Sequence, residues 1–532
     1  MTRRWFALGV LTLAVLLIGV DGTVLALATP FIGEDLGASF TQILWIGDIY
    51  SFVLAALLIS MGSLGDRVGH KKLLLCGATA FALFSVVTAY STSAEMLIAS
   101  RALLGVAGAT LTPATLALIR GLFPDARERS VAVGIWASAF SAGAAFGPVL
   151  GGILLEHFWW GSVFLINVPV MVVLLAGGVV LLPEHRNPTP GPWDLPSVAL
   201  SMVGMLGVVY AIKESTAGAS PGVLRPDVLA AAMIGVAALI LFVRRQLRLP
   251  APLIDVRLFG NRAFSGVVAA NLLSVLGLSG LVFFLSQFFQ LVHGYGPLKA
   301  GLAELPAAVT ATVFGVLAGV AVRYWSSRAV LTAGLALVAV AMASLTFLTP
   351  STPYPPLGVA LFLVGVGLGL AFTVASDVIL ASVPKERAGA AAAVSETAYE
   401  LGMALGIATL GSIVTSVYRG FTVPAGIPPA VESHARDSLS AAVHAAETLP
   451  ADQRDALLTA TKEAFTDGLA IASGVGSALM LLSAAAVWIL LRARLPRESE
   501  VGVPHDPGMH RDAGGDARVD AACGAELSDR HC

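Results

Sequence analysis

The fold is decided by the stretch Ile18-Gly-Val-Asp21-Gly-Thr-Val-Leu-Ala-Leu-Ala-Thr-Pro30, which lies within the first long apolar run of the chain. A carboxylate at the depth of Asp21 in a membrane-crossing run is costly unless it faces a watery cavity or a partner. Other charged residues occur inside apolar runs, namely Asp48, Arg101, Asp377, Glu396 and Glu400. Buried charges of this kind indicate a protein that moves ions or charged solutes through its interior.

Composition places the chain among polytopic membrane proteins. Of its 532 residues, 56% are hydrophobic and 12% are charged, whereas a soluble domain has about 25% charged residues. The mean hydropathy is +0.83. The three cysteines form neither a disulfide framework nor a metal-ligand pattern. We expect no metal site, no cofactor and no nucleic-acid partner.

Fourteen segments are apolar and long enough to cross a bilayer, for which about 20 residues are needed. The predicted spans are 6–29, 41–64, 72–91, 94–118, 129–154, 162–182, 196–213, 227–247, 263–291, 298–321, 328–348, 357–382, 388–417 and 467–491. The first is expected to be an uncleaved signal anchor. Twelve spans would give the same parity, so both counts predict that the two termini lie on one side.

Basic residues favour one orientation. They concentrate at the termini and in alternate loops, at Arg3, Arg4, Arg67, Lys71, Lys72, Arg120, Arg127, Arg129, Arg186, Arg244, Arg245, Arg248, Arg257, Arg323, Arg328, Lys385, Arg387, Arg492, Arg494 and Arg497. The charged residues of the opposite loops are mainly Glu34, Asp35, Glu95, Glu156, Lys213, Arg225 and Lys299, so few basic residues lie on that side. The positive-inside rule therefore predicts cytoplasmic termini, and we expect a bacterial inner-membrane protein.

The predicted domain organisation follows from these spans. It consists of an N-terminal six-helix bundle (1–186), two extra helices with linkers (187–259), the first part of a C-terminal bundle (260–418), an extracellular helical hairpin (419–466), the last membrane helix (467–492) and a disordered cytoplasmic tail (493–532).

Two glycine motifs carry a family resemblance. The first, Gly62-Ser-Leu-Gly65-Asp66-Arg67-Val-Gly69, follows the second span, where glycines permit a tight turn. Its spacing resembles the signature loop of the major facilitator superfamily, although His70 stands where arginine is usual. The second, Gly143-Ala-Ala-Phe-Gly147-Pro148-Val-Leu-Gly151-Gly152, resembles the fifth-helix motif of antiporters in that superfamily. Small residues at this spacing allow two helices to pack closely.

Further segments extend the resemblance over roughly residues 10–420. The segment around Arg101, with Gly105 and Gly108, resembles the fourth-helix motif of the family, and Asp21-Gly-Thr-Val resembles the first-helix signature of its fourteen-helix drug:proton antiporters. The resemblance implies an all-α major facilitator fold with two six-helix bundles, two intervening helices and a cavity between the bundles. It also implies export of antiseptic and quaternary-ammonium compounds in exchange for protons.

The candidate site residues fall into two groups. For proton coupling we predict Asp21, Asp48 and Arg101. For substrate binding we predict Glu396, Glu400, Tyr399, Tyr50, Trp136, Phe140, Asn167, Phe284, Phe288, Glu304 and Asp377. Carboxylates attract cations and aromatic faces bind them. The same residue types also serve ordinary packing, and Asp377 is close to the end of its helix.

The sequence thus predicts a monomeric multidrug exporter of cationic or amphipathic drugs, driven by the proton gradient and surrounded by membrane lipid. Three alternatives remain open: an exporter of an endogenous antibiotic, lipid or siderophore; a proton symporter for uptake; and a membrane-embedded acyltransferase. The fifth-helix motif disfavours the symporter. The acyltransferase lacks a histidine at the membrane midplane and a nucleophile–base pair.

Overall fold

The computed structural model describes residues 2–184, 194–217, 225–250, 252, 256–383 and 388–491. The first nine helices are α1 (Thr2–Asp35), α2 (Phe40–Val68), α3 (His70–Ala89), α4 (Ala94–Leu122), α5 (Ala126–His157), α6 (Ser162–Leu165), α7 (Asn167–Leu181), α8 (Leu195–Ala217) and α9 (Pro226–Arg248). The others are α10 (Arg262–Gln287), α11 (Pro297–Tyr324), α12 (Ser327–Ser344), α13 (Tyr354–Ala381), α14 (Ala388–Arg419), α15 (Pro429–Asp437), α16 (Leu439–Ala446) and α17 (Ala451–Leu490). Short 3₁₀ turns lie at Val256–Gly260 and Leu345–Phe347, and a π turn at Phe288–Val292.

The predicted all-α fold with fourteen membrane-spanning helices is confirmed. Fourteen helices among the described residues are long and apolar enough to cross a membrane, with α6 and α7 forming one span. The last span differs from the prediction. No break occurs at residue 467, because α17 is a single helix of 40 residues that begins at Ala451. The predicted tail 493–532, together with Arg186, Lys385 and Arg387, lies outside the described residues.

The helices form two six-span bundles and an intervening pair. The N-terminal bundle contains α1–α7 and the C-terminal bundle contains α10–α14 and α17, while α8 and α9 pack on each other. The bundles meet where α5 contacts α11 and where α2 contacts α14. Helix α8 covers the second of these seams, since it packs on both α2 and α14.

The two ends of the molecule differ. We call the end that carries α15 and α16 the hairpin end, and the end at which α1 begins and α17 ends the terminal end. At the hairpin end, Phe40 lies 5.9 Å from both Phe284 and Tyr418 between ring centroids. The backbone N–H of Leu298 also donates to Glu156 Oε2 at 3.3 Å. These contacts join the bundles there.

Candidate functional site

Asp21 and Arg101 lie together in the interior of the N-terminal bundle. Arg101 is about two turns from the start of α4, and both side chains are buried. Arg101 Nη1 lies 4.0 Å from Asp21 Oδ2, which is longer than a hydrogen bond. Neither of these two atoms has a hydrogen-bond partner among the described residues. The two charges are therefore close enough to attract each other, but these two atoms do not form a hydrogen-bonded salt bridge.

Asn167 completes this cluster from α7. Its amide Nδ2 donates to Ser85 Oγ at 3.1 Å and, at 3.5 Å, to Asp21 Oδ1. The Arg101 guanidinium lies between two rings, with Cζ 5.5 Å from the Tyr50 centroid and 5.7 Å from that of Phe164.

Asp48 and Tyr50 bring α2 to the same cluster. Asp48 is fully buried and interacts electrostatically with Arg101. Tyr50 is 3% exposed, and its hydroxyl has no hydrogen-bond partner in the part of the chain that the structure describes. The predicted proton-coupling residues Asp21, Asp48 and Arg101 are therefore brought together.

A second acidic cluster lies across the bundle interface on α14. Glu400 is buried and Glu396, one turn earlier, is half-buried. Ser51 of α2 donates to Met403 Sδ at 3.7 Å and lies beside the Glu400 carboxylate. One oxygen of Glu400 has no hydrogen-bond partner among the described residues. The hydrogen bonds of the described residues therefore satisfy this carboxylate only in part.

Aromatic side chains flank these glutamates. The Tyr399 ring lies edge-on to Phe140 of α5 at 6.4 Å and to Phe372 of α13 at 5.9 Å between centroids. Trp136 donates through Nε1 to Thr115 Oγ1 at 3.1 Å, so its polar atom faces α4. Rings from both bundles therefore meet at Tyr399, the residue before Glu400.

Glu304 forms a third acidic position, nearer the hairpin end. It is buried on α11 beside Ser286 of α10. Gln290 is within 3.4 Å of Ser286 and donates across the interface to the Leu27 carbonyl of α1 at 3.1 Å. Glu304 therefore lies beside Ser286, and Ser286 contacts the Gln290 side chain that forms a hydrogen bond between the bundles.

Three predicted substrate residues lie elsewhere. Phe284 and Phe288 are fully buried. Phe284 packs against Phe283 and Phe465, and Phe288 against Phe289 and His293. Asp377 is exposed near the end of α13. The two phenylalanines thus belong to the packed core at the hairpin end.

The motif predicted to form a loop is mostly helical, because Gly62 to Val68 are the last residues of α2, and only Gly69 makes the turn into α3 at the terminal end. Gly69 has φ +104° and its N–H donates to the Gly65 carbonyl at 2.9 Å. Asp66 accepts from His70 Nε2 at 3.1 Å, so the histidine at the usual arginine position pairs within the loop. Gly62 lies beside Pro113 of α4. The Arg67 side chain is not isolated either, since it has an interaction partner in the structure.

The fifth-helix motif serves two neighbours of α5. Cβ atoms on Gly143, Gly147 or Gly151 would collide with Leu16, Thr23 and Val24 of α1, respectively. Pro148 and Gly152 instead face Gly301 and Leu298 of α11. The motif therefore sits where α5 touches both its own bundle and the opposite one, and its role in transport stays a prediction.

Several site residues were not identified from the sequence. They are Ser51, Ser85, Phe164, Ser286 and Gln290. The polar residues among them stand inside apolar runs, which is a usable signal. Which helix faces they occupy depends on packing between helices that are distant in sequence.

Comparison with known proteins identifies close relatives. Residues 11–407 match the model of the Major Facilitator Superfamily. The multidrug efflux pump LfrA of Mycolicibacterium smegmatis is 46% identical over 492 residues, which cover 92% of this chain and 97% of LfrA. The methyl viologen resistance protein SmvA of Salmonella typhimurium is 38% identical over 494 residues, covering 92% and 99%.

A solved structure supports the fold. A bacterial homologue of the human lysosomal transporter Spinster, in an inward-facing and unoccupied conformation, superposes with a TM-score of 0.65. The sequence identity is 17%, and the match covers 92% of this chain and 97% of the homologue.

Proposed function

The chain belongs to the Major Facilitator Superfamily and is a transporter rather than an enzyme, and we propose that it exports lipophilic cations in exchange for protons. Its relatives include multidrug efflux pumps, which supports small molecules as substrates. The proposal rests on two buried acidic clusters, Asp21 with Arg101 in one bundle and Glu400 in the other. In each cluster a carboxylate oxygen has no hydrogen-bond partner among the described residues.

Asp21 is the proposed proton-exchanging carboxylate. It is buried beside Arg101 at 4.0 Å without a hydrogen bond between them. A charged Asp21 attracts the guanidinium, whereas a protonated Asp21 releases it. Asp48, which also interacts with Arg101, provides a second acid whose charge the same guanidinium balances.

Glu400 and Glu396 are the proposed cation-binding groups. A planar or quaternary cation bound between Glu400 and Tyr399 would approach Phe140 and Phe372, whose rings contact Tyr399. Cation–π contacts add to the attraction of the carboxylate. Because these rings come from both bundles, a bound cation would contact both halves of the transporter.

The number of buried acids suits cations of different charge. One charge crossing about 100 mV corresponds to roughly 2.3 kcal/mol, and one pH unit contributes about 1.4 kcal/mol per proton. Exchange of one proton for one monovalent cation is electroneutral. Uphill export of a dication therefore needs at least two protons, and Asp21, Glu304 and Glu400 each have an oxygen without a hydrogen-bond partner among the described residues.

We further propose that the protein works as a monomer in the bacterial inner membrane. The terminal end carries basic side chains such as Arg3, Lys71 and Arg120, and the positive-inside rule would place it in the cytoplasm. The proton gradient would be the energy source, with no cofactor.

Ethidium efflux from cells tests the proposal. Wild-type efflux should stop when a protonophore is added. Asp21→Asn should stop transport of every substrate, whereas Glu400→Gln should impair cations and affect the dication methyl viologen most. Asp455→Asn, a change at an exposed carboxylate of α17 at the hairpin end, is the matched control and should transport normally.

Undiminished uphill extrusion by Asp21→Asn would refute the proton assignment. Export of neutral or anionic compounds alone, unaffected by Glu400→Gln, would instead favour an exporter of an endogenous product. Orientation is tested separately by labelling single cysteines placed in the α15–α16 hairpin with a membrane-impermeant maleimide, which should react from outside the cell.

A further inference from the structure

A recess opens at the terminal end, between the start of α1 and the ends of α4 and α7. Its volume is about 380 Å³, which lies within the range of small-ligand sites, about 300–1,000 Å³. Two basic and four apolar residues line it, namely Arg3, Arg4, Leu122, Leu181, Leu182 and Pro183. A recess with two arginines would repel the cations proposed above as substrates, so it calls for a different ligand.

The two arginines have hydrogen-bond donors to spare. Arg3 Nη2 donates to the Val180 carbonyl of α7 at 2.8 Å, and a guanidinium has further N–H donors. Arg4 makes no hydrogen bond to the part of the chain that the structure describes. Neither arginine forms an ion pair with a described carboxylate, and the nearby Glu184 is exposed. The recess therefore offers donors to an anion.

Lys71 adds a third positive charge at the end of α7. Its Nζ donates to the Val179 carbonyl at 2.9 Å and to the Leu182 carbonyl at 2.8 Å. Carbonyl groups at the end of a helix carry partial negative charge and attract cations. Because Lys71 and Arg3 bind these carbonyls, the end of α7 does not repel an anion that approaches the recess.

The recess borders a surface that faces lipid. Phe6, one turn after Arg3, is 68% exposed, and Val180 is 66% exposed. Both residues belong to helices that are long and apolar enough to cross a membrane, so their exposed sides face acyl chains. The Trp5 ring packs on Phe123 at 5.1 Å between centroids, and tryptophan is enriched where a membrane meets water. These residues indicate the level of the lipid headgroups.

We propose that the recess binds an anionic phospholipid. Arg3 and Arg4 hold its phosphodiester, because guanidinium donors match phosphate oxygens in geometry and charge. Its acyl chains lie along Phe6 and Val180. Inorganic phosphate would use only the arginines, whereas a lipid also covers the apolar residues of the recess. The site shares no residue with the clusters at Asp21 and Glu400, so the inference does not depend on proton coupling or on the cation.

Lipid binding to the purified, delipidated full-length protein tests the proposal. Native mass spectrometry gives the apparent Kd of dioctanoyl phosphatidylglycerol, which is anionic, and of dioctanoyl phosphatidylcholine, which is zwitterionic. The wild type should bind the anionic lipid at least about fivefold more tightly, the contribution of one basic residue near a membrane surface. The double variant Arg3→Gln/Arg4→Gln should bind it about 25-fold more weakly than the wild type. Equal affinity of the wild type for the two lipids would overturn the proposal.

A matched control separates the recess from general positive charge. Arg244→Gln/Arg248→Gln removes two exposed arginines at the end of α9, which is also at the terminal end. This variant should keep the wild-type Kd to within about twofold, and a loss equal to that of Arg3→Gln/Arg4→Gln would overturn the proposal. Inorganic phosphate in large excess should not displace the lipid from the wild type. Displacement would show that the anion alone is recognised.

Two single variants cover the case in which the double variant does not fold. Arg4→Gln preserves the hydrogen bond from Arg3 to Val180 and should weaken binding of the anionic lipid about fivefold. Leu181→Trp keeps both arginines but fills the recess that Leu181 lines, and it should weaken binding as well. Wild-type affinity in either variant would refute the assignment of the lipid to this recess.

Discussion

Alanine substitutions along α5 should separate glycines needed for close packing from glycines that are not. A Cβ on Gly143 would overlap the Leu16 carbonyl group of α1, and one on Gly151 would lie 2.5 Å from Val24 Cγ2. A Cβ on Gly134 would meet nothing within 4 Å. The three positions thus offer a backbone collision, a side-chain collision and open space on one helix.

The expected changes in stability follow from two opposing terms. Replacing glycine by alanine inside a helix gains roughly 1 kcal/mol, whereas overpacking costs about 1–3 kcal/mol. The cost at Gly143 is at the upper end because backbone atoms cannot rotate away, so Gly143→Ala should lose about 2 kcal/mol. Gly151→Ala should be close to neutral, and Gly134→Ala should gain about 1 kcal/mol.

The assay is the apparent melting temperature of each purified variant in one detergent at one scan rate, since membrane-protein unfolding is often irreversible. The melting temperatures should rank Gly134→Ala above Gly151→Ala, and Gly151→Ala above Gly143→Ala. Equal values for the three variants, or the lowest value for Gly134→Ala, would refute the reasoning that α1 and α5 are held by contacts at the motif.

Three further changes probe the scaffold. Asp194→Asn should lower the melting temperature through a loss of about 1–3 kcal/mol, since Asp194 accepts from Arg245 Nη2 at 2.8 Å. Burial opposes ionisation of Asp194, but its hydrogen bonds outweigh burial and hold its pKa below the ordinary value. The stabilisation by charged Asp194 is therefore present above about pH 4 and is lost below it. The difference in melting temperature between Asp194→Asn and wild type should thus be equal at pH 6 and pH 8. Gln290→Leu removes the hydrogen bond between the bundles and should increase maleimide labelling of cysteines at the hairpin end. Unchanged labelling would show that this hydrogen bond does not hold the bundles together there. Tyr418→Phe removes a 2.7 Å bond to the Ala435 carbonyl and should make the hairpin more sensitive to protease by about fivefold, for a loss of about 1 kcal/mol, whereas an unaltered cleavage rate would count against it.

The spans could be predicted from the sequence because hydropathy is a local property. The same locality explains why the helix of the last span is longer than the predicted span. The segment from Ala451 to Asp467 is polar, so the hydropathy pattern predicts that the span begins at residue 467. No residue in this segment breaks the helix, however, and α17 continues through it. Helical continuity and membrane burial are separate properties. An apolar run predicts which residues lie in the membrane, but not how far the helix extends beyond it.

The candidate site was predictable in its members but not in its arrangement. Asp21, Arg101 and Glu400 were identified as charges at membrane depth, where an unpaired charge is costly. That Tyr50 lies beside Arg101, whereas the neighbouring Ser51 contacts Met403 of α14, depends on the rotation of α2 between two bundles. No local pattern encodes this rotation, because apolar residues cover every face of such a helix.

Helix α8 constrains how the two clusters can move relative to each other. Phe52 and Val209 form a buried cluster with Ala404 and Ala408, so α8 is seated between α2 and α14. Phe52 follows directly after Ser51, which contacts Met403 of α14. Displacement of α2 from α14 must therefore break this cluster or carry α8 along.

In the part of the chain that the structure describes, the α5–α11 seam is not covered by α8 or α9. Its contacts at Pro148 and Gly152 lie in the hairpin half, while Gly134, Ser138 and Ser141 of α5 are exposed toward the terminal end. Relative motion of the bundles thus meets less resistance at this seam than at the seam that α8 covers. We expect a pivot along α2 and α14, with the opposite seam opening and closing.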